Sequence, residues 1–237
     1  MAGPRIGDLA GLLMLTLPRL RAQRREVERS TLADVRDGTA RLWRDAPIRF
    51  ALLMELVAAV AGALILVVTV VRVQGGLNLG VGEAQYGWVM ALYGLGATVA
   101  SLAVGAAGRR VPRTAFILVG ALLTSLAILP ADVVSLAPLM ALWLVAGVGQ
   151  NWVNLPTETL LAERTEEAAQ GRVYGAHFAW SHLWWAFSYP VASFLSARFA
   201  DHAFLYGGLL ALVILAAVVV ASRGAVGPAV NPTSSTD

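Results

Sequence analysis

Residues 50–71 read FALLMELVAAVAGALILVVTVV, a run whose only charged side chain is Glu55. About 20 mostly apolar residues cross the hydrocarbon core of a bilayer as a helix. Five further runs of this kind follow: Gln85–Gly108, Thr114–Leu129, Leu136–Leu160, Val173–Leu195 and Ala203–Ala221. Lipid offers no partner to backbone N–H and C=O groups, so each run must satisfy its own and is predicted to be helical. The fold class expected is all-α, a polytopic membrane protein with six transmembrane helices over residues 50–222. Residues 1–49 form an Arg-rich cytoplasmic segment, and 223–237 form a disordered cytoplasmic tail rich in Pro, Ser and Thr.

Composition agrees. Hydrophobic residues make up 57% of the chain and charged ones only 14%, against about a quarter charged in soluble domains. There is no cysteine, which excludes disulfides, thiolate metal sites and cysteine nucleophiles. All 18 cationic side chains are Arg, and they are unevenly placed. Ten precede the first run, and Arg109, Arg110, Arg113, Arg164, Arg172 and Arg223 share its cytoplasmic side. Arg72 and Arg198 stand alone opposite. Basic residues stay on the cytoplasmic side, so both termini are expected inside, at a bacterial inner membrane. A basic cluster can bind nucleic acid, but beside a long apolar run it reads as a membrane flank, with lipid as the partner.

The segment before Phe50 has two parts. Leu9–Leu17 is a short apolar stretch, either the remnant of a preceding helix or an interfacial segment. Ser30–Asp45 reads as a surface helix, with Leu32, Val35, Thr39 and Leu42 near helical spacing. Pro138, Pro156 and Pro190 each remove a backbone donor and are expected to bend or end a turn. Ala97, Ser101 and Gly105 lie four apart, a small-residue stripe along which helices approach closely.

Polar residues within membrane spans are costly, so they point to cavities or partners. Glu55 lies about two turns into the first span, where it either pairs with Arg49 or lines a cavity and exchanges protons. Gln150, Asn154 and Glu158, at i, i+4 and i+8, share one helix face. They act as glue between helices or line a cavity beside the bend at Pro156. In the fifth span Tyr174, His177, Ser181, Trp184 and Ser188 recur at helical spacing, with His182, Trp185 and Tyr189 on an adjacent strip. Histidine carries protons near neutral pH and ligates borderline metals. His177 and His182 sit about 140° apart around one helix, so one ion cannot readily take both. The alternative is aromatic packing, with each histidine holding one hydrogen bond. No P-loop, HExxH or G-x-S-x-G occurs, and no enzyme is expected.

These residues resemble the C-terminal half of the major facilitator superfamily over about Ala33 to Ala221. The segment 32–49, with Asp37-Gly38-Thr39 and Trp43-Arg44-Asp45-Ala46-Pro47, resembles the central cytoplasmic loop of the macrolide-efflux and siderophore-exporter branch. Tyr86 to Gly96 resembles that branch's eighth helix. Gly105 to Arg113 resembles the family's basic loop motif without its usual Asp, and Glu163 to Gly175 resembles the start of the eleventh helix. Ala176 to Trp185 is similar to bacterial nickel-resistance exporters.

The resemblance implies half of a repeat-built fold that binds substrate near the midplane and alternates access. It implies a proton-coupled exporter without cofactor, for nickel or cobalt, with lipophilic drugs or siderophores as the alternative. Glu55 and Glu158 are the expected proton carriers. Asn151, Asn154, His177, Ser181 and His182 are the expected cavity residues, with His177 and His182 as ligands if the cargo is a metal. Gly105, Arg109, Arg110 and Arg113 are the gating loop. The family's first six helices have no counterpart here, so the expected partner is an N-terminal half or a second copy. An inactive fragment or a membrane scaffold is the alternative of another class.

Overall fold

The computed structural model describes residues 31–76, 83–107 and 110–222. The apolar stretch at 9–17, the tail at 223–237 and Arg109 lie outside them. Among the described residues seven helices follow in order: α1 Thr31–Arg44, α2 Ala46–Val71, α3 Glu83–Ala107, α4 Arg113–Ile128, α5 Leu136–Arg164, α6 Glu167–Arg198 and α7 Ala203–Ala221. A π-type turn, Arg72–Gly76, extends α2, and a 3-10 turn, Ala200–His202, leads into α7. No strand occurs among the described residues.

Each of the six apolar runs maps onto one of α2–α7. Among the described residues four helical segments are long and apolar enough to cross a membrane: Ala46–Gly75, Ala84–Ala106, Leu136–Arg164 and Ala200–Ala221. Helix α4 is apolar but has only 16 residues. Helix α6 is the longest, at 32 residues, but its His, Ser, Tyr and Trp side chains dilute its apolar character.

Local chemistry explains the boundaries. Helix α2 begins four residues before the apolar run because Asp45 caps it, its carboxylate accepting from the Ile48 N–H at 3.0 Å. Pro47 sits in the first turn, where its missing N–H costs nothing. Pro138 occupies the same kind of place in α5. Pro156 and Pro190 lie within α5 and α6, which continue through them rather than ending. Before α5, Asp132 reaches across to α7 and accepts from the N–H groups of Phe204 and Leu205 at 3.2 and 2.8 Å. It supplies partners that the first turn of a helix lacks. Burial raises this carboxyl above its ordinary value even though both N–H groups pull it down.

Helix α2 is the hub. It is buried along most of its length and packs on α4, α5, α6 and α7. Trp143 of α5 donates its indole N–H to Thr69 of α2 at 3.1 Å, both side chains fully buried. The exterior is apolar: Trp88 and Leu102 on α3, Phe178, Phe187 and Phe194 on α6, and Val213 and Val220 on α7 are all exposed. A water-facing surface does not carry so many large apolar side chains in one band, and a lipid-facing one does.

Helix α1 docks on α6 by the C-terminal half of the face its periodicity suggests, with the Thr39 hydroxyl accepting from the Trp180 indole N–H at 3.4 Å. Leu32 and Val35 are exposed, while Gly38 and Leu42 are buried. Gly38 has no side chain and lies against the Arg172 carbonyl. That close approach turns the helix and brings Trp43 edge-on to Trp180, ring centroids 5.2 Å apart. Ion pairs Asp37–Arg172 at 3.0 Å and Asp45–Arg164 at 2.9 Å fix the seat.

Candidate functional site

Helices α5 and α6 scarcely touch. Helix α5 packs chiefly on α3 and α4, while α6 packs on α2 and α1. The gap between them, floored by α2, is a cavity of about 240 Å³ lined by Glu55, Gln150, Asn154, Glu158, His177, Ser181 and Trp185.

His177 is the centre of its chemistry. The ring is 5% exposed and Glu55 8%, so neither is solvated. Nε2 lies 2.9 and 3.0 Å from the two oxygens of Glu55. Nδ1 lies 3.5 Å from Oε1 of Glu158, whose side chain is half exposed. Both ring nitrogens therefore face carboxylates. A carboxylate only accepts, and a neutral imidazole has only one N–H. The trio is satisfied when it holds one more proton than a neutral ring between two carboxylates, either on the ring or on one acid. Of the two sequence readings of Glu55, pairing with Arg49 does not occur: Arg49 instead donates to the Trp43 carbonyl at 2.7 Å.

The far end of the cavity is different. Gln150 is 7% exposed, and its Oε1 is buried without a hydrogen-bond partner among the described residues. A Cβ on Gly62 of α2 would stand 2.7 Å from the Trp185 ring and 3.4 Å from Gln150 Oε1. The missing side chain at Gly62 is what lets the indole and the amide meet there.

The other sequence-predicted residues fall as follows. Asn154 lines the cavity. Ser181 does too, with its hydroxyl donating to the Phe178 carbonyl at 3.1 Å. Asn151 does not: its amide donates to the Ala97 carbonyl at 2.9 Å and to Ser101 Oγ at 2.7 Å, both on α3. His182 is also elsewhere. It is exposed, stacks on Phe178 with centroids 3.9 Å apart, and its Nδ1 lies 2.8 Å from the Phe178 carbonyl. Among the described residues no group of three or more His, Cys, Asp or Glu side chains is arranged to hold a metal ion. Gly105 and Arg110 are exposed. Arg113 pairs with Glu163 at the end of α5, at 2.9 Å, so an acid from another helix meets this basic loop in place of the loop Asp.

Sequence reasoning passed over Gly62 and gave Trp185 only the part of an aromatic contact on the strip beside His182. It placed Gln150 on the polar face, as glue between helices or as cavity lining, without choosing between them. Their only signal was position: Gln150 is one helical repeat from Asn154, and Trp185 is one from Ser181. A larger hollow, about 460 Å³, lies among Asp37, Arg41, Arg44, Asp45, Arg164 and Glu166. Four of these charges pair with one another there, Arg41 with Asp37 and Arg164 with Asp45.

Comparison with known proteins gives one result. The model of the Major Facilitator Superfamily matches residues 50–236. No curated protein and no solved structure matches the chain.

Proposed function

Since this chain belongs to the major facilitator superfamily, a family of transporters rather than enzymes, we propose that it is a proton-coupled secondary exporter acting on a small cation, with Glu55, His177 and Glu158 as its proton site. The observation that carries this reading is the buried imidazole set between two carboxylates at the wall of a cavity. A proton there is exchangeable, because Glu158 is half exposed. It is also consequential, because the Glu55–His177 contact joins α2 to α6. Losing or moving the proton changes how strongly those two helices hold together, and this is the coupling an alternating-access cycle needs.

In this reading α2–α7 are six spans with both termini cytoplasmic, supported by the asymmetric placement of Arg. The bundle pairs with a second six-helix body, another copy of this chain, over its exposed apolar surface. A nickel or cobalt cargo would have only His177 to draw on, since His182 is bonded elsewhere on its own helix.

The test is proton flux in proteoliposomes holding a pH-sensitive dye and the full chain, with imposed gradients of nickel, cobalt, tetraethylammonium or agmatine. At least one cation should drive proton movement. Glu55→Gln should abolish it while leaving the protein folded. Silence with all four, or unchanged flux in both Glu55→Gln and His177→Gln, overturns the proposal.

A further inference from the structure

The cavity has two chemically distinct ends along one helix. Gln150, Asn154 and Glu158 stand at i, i+4 and i+8 on α5, about 12 Å end to end at 1.5 Å per residue. One end holds Glu158, Glu55 and His177. The other holds Gln150 and Trp185, next to Gly62. The lining is rich in acceptors: two carboxylates and an amide oxygen, with one imidazole to offset the charge.

Gln150 Oε1 is the informative atom. It is buried and bonded to nothing among the described residues. Leaving a buried acceptor unsatisfied costs about 1–3 kcal/mol. The oxygen is enclosed in this arrangement, and a turn of the Gln150 side chain, which lines the cavity, presents it to a ligand that brings an N–H donor, with the aromatic Trp185 lining the same end. His177 is a poor metal ligand in this arrangement, because both of its nitrogens face carboxylates. A bare metal ion would have to displace one of those contacts, and it would leave the distant amide oxygen unmet.

We infer that the cavity takes an organic cation bearing N–H donors, an alkyl amine or guanidinium, held between Glu158 at one end and Gln150 Oε1 with Trp185 at the other. The inference rests on the transport reading for its purpose but not for its measurement, since binding needs no gradient. A quaternary ammonium has the charge without the donor and should be discriminated against.

The experiment is calorimetric titration of the full chain in lipid nanodiscs with agmatine, tetraethylammonium and nickel chloride. Agmatine should bind at one site, at least tenfold tighter than tetraethylammonium, and nickel should not compete with it. Gln150→Leu should weaken agmatine by about tenfold, the factor that 1.4 kcal/mol represents, and leave tetraethylammonium unchanged. Gln150→Glu keeps an acceptor, and its retention of agmatine binding guards against a misfolded Leu variant. Three results overturn the inference: equal affinity for agmatine and tetraethylammonium, nickel competing at the site, or agmatine binding unchanged in Gln150→Leu. Absence of agmatine binding overturns it as well. Agmatine binding without any proton flux would remove the exporter reading and leave the site. Proton flux driven by nickel alone would do the reverse.

Discussion

Helix α5 has two kinds of neighbour, and they are built in opposite ways. Against α3 and α4 it is sealed by absent side chains. Gly96 lies on the Leu144 carbonyl, Gly147 on the Tyr93 carbonyl, and Gly120 on Gly149. Backbones meet there, and polar groups in reach are spent across the seam: Asn151 bonds Ala97 and Ser101, and Thr124 bonds the Ala146 carbonyl. Against α6 the same helix stands off and leaves Gln150, Asn154 and Glu158 around a cavity. Consecutive residues show the contrast. Gln150 and Asn151 differ by about 100° in direction, yet one amide has its donors satisfied by α3 while the other keeps an unpartnered oxygen. A polar residue in a membrane helix is glue where the neighbour is close and a site where the neighbour stands away.

That contrast can be broken at either side. The largest effect is expected at the sealed seam. Gly147→Val places a branched side chain against the Tyr93 carbonyl, with no flexible group able to yield. It should prevent recovery of folded protein, followed by size-exclusion chromatography in detergent. Wild-type yield and elution would show that α3 and α5 are not so tightly joined.

The next effect belongs to the open side. A double-mutant cycle on Glu55→Gln and His177→Gln, read by thermal unfolding in detergent, should give a coupling energy of about 1–3 kcal/mol, as for residues in one hydrogen-bonded network. Additive effects would mean that the contact contributes nothing to holding α2 against α6.

Asn151→Leu should cost less, about 0.6–1.7 kcal/mol, the range for interhelical hydrogen bonds within membranes. It should leave agmatine affinity unchanged. Reduced affinity would move Asn151 back among the cavity residues, where the sequence reading had it. Smallest is His182→Ala, at the exposed side of α6. Its stability should stay within about 0.5 kcal/mol of wild type, and cation binding should not change. Loss of cation binding in this variant would draw the site around the helix to His182.

Much of the fold could be read from the chain. A run such as residues 50–71 has no alternative in lipid to a helix that satisfies its own backbone, and the Asp45-Ala46-Pro47 signature marks where that helix starts. The six apolar runs reappear as α2–α7 with only their ends shifted. Surface helix α1 was legible as a helix and in part of its docking face, through Thr39 and Leu42, but not in the place of Gly38, which meets Arg172, distant in sequence. The same limit applies to the site. Periodicity put Gln150, Asn154 and Glu158 on one face and separated His177 from His182. It could not say that Glu55 on α2 would meet His177 on α6, that Asn151 would turn to α3, or that Gly62 would admit Trp185. Helix formation depends on neighbours within a few residues, which the sequence states directly. Pairing Glu55 with His177 depends on how three helices pack, and only the tertiary structure supplies that.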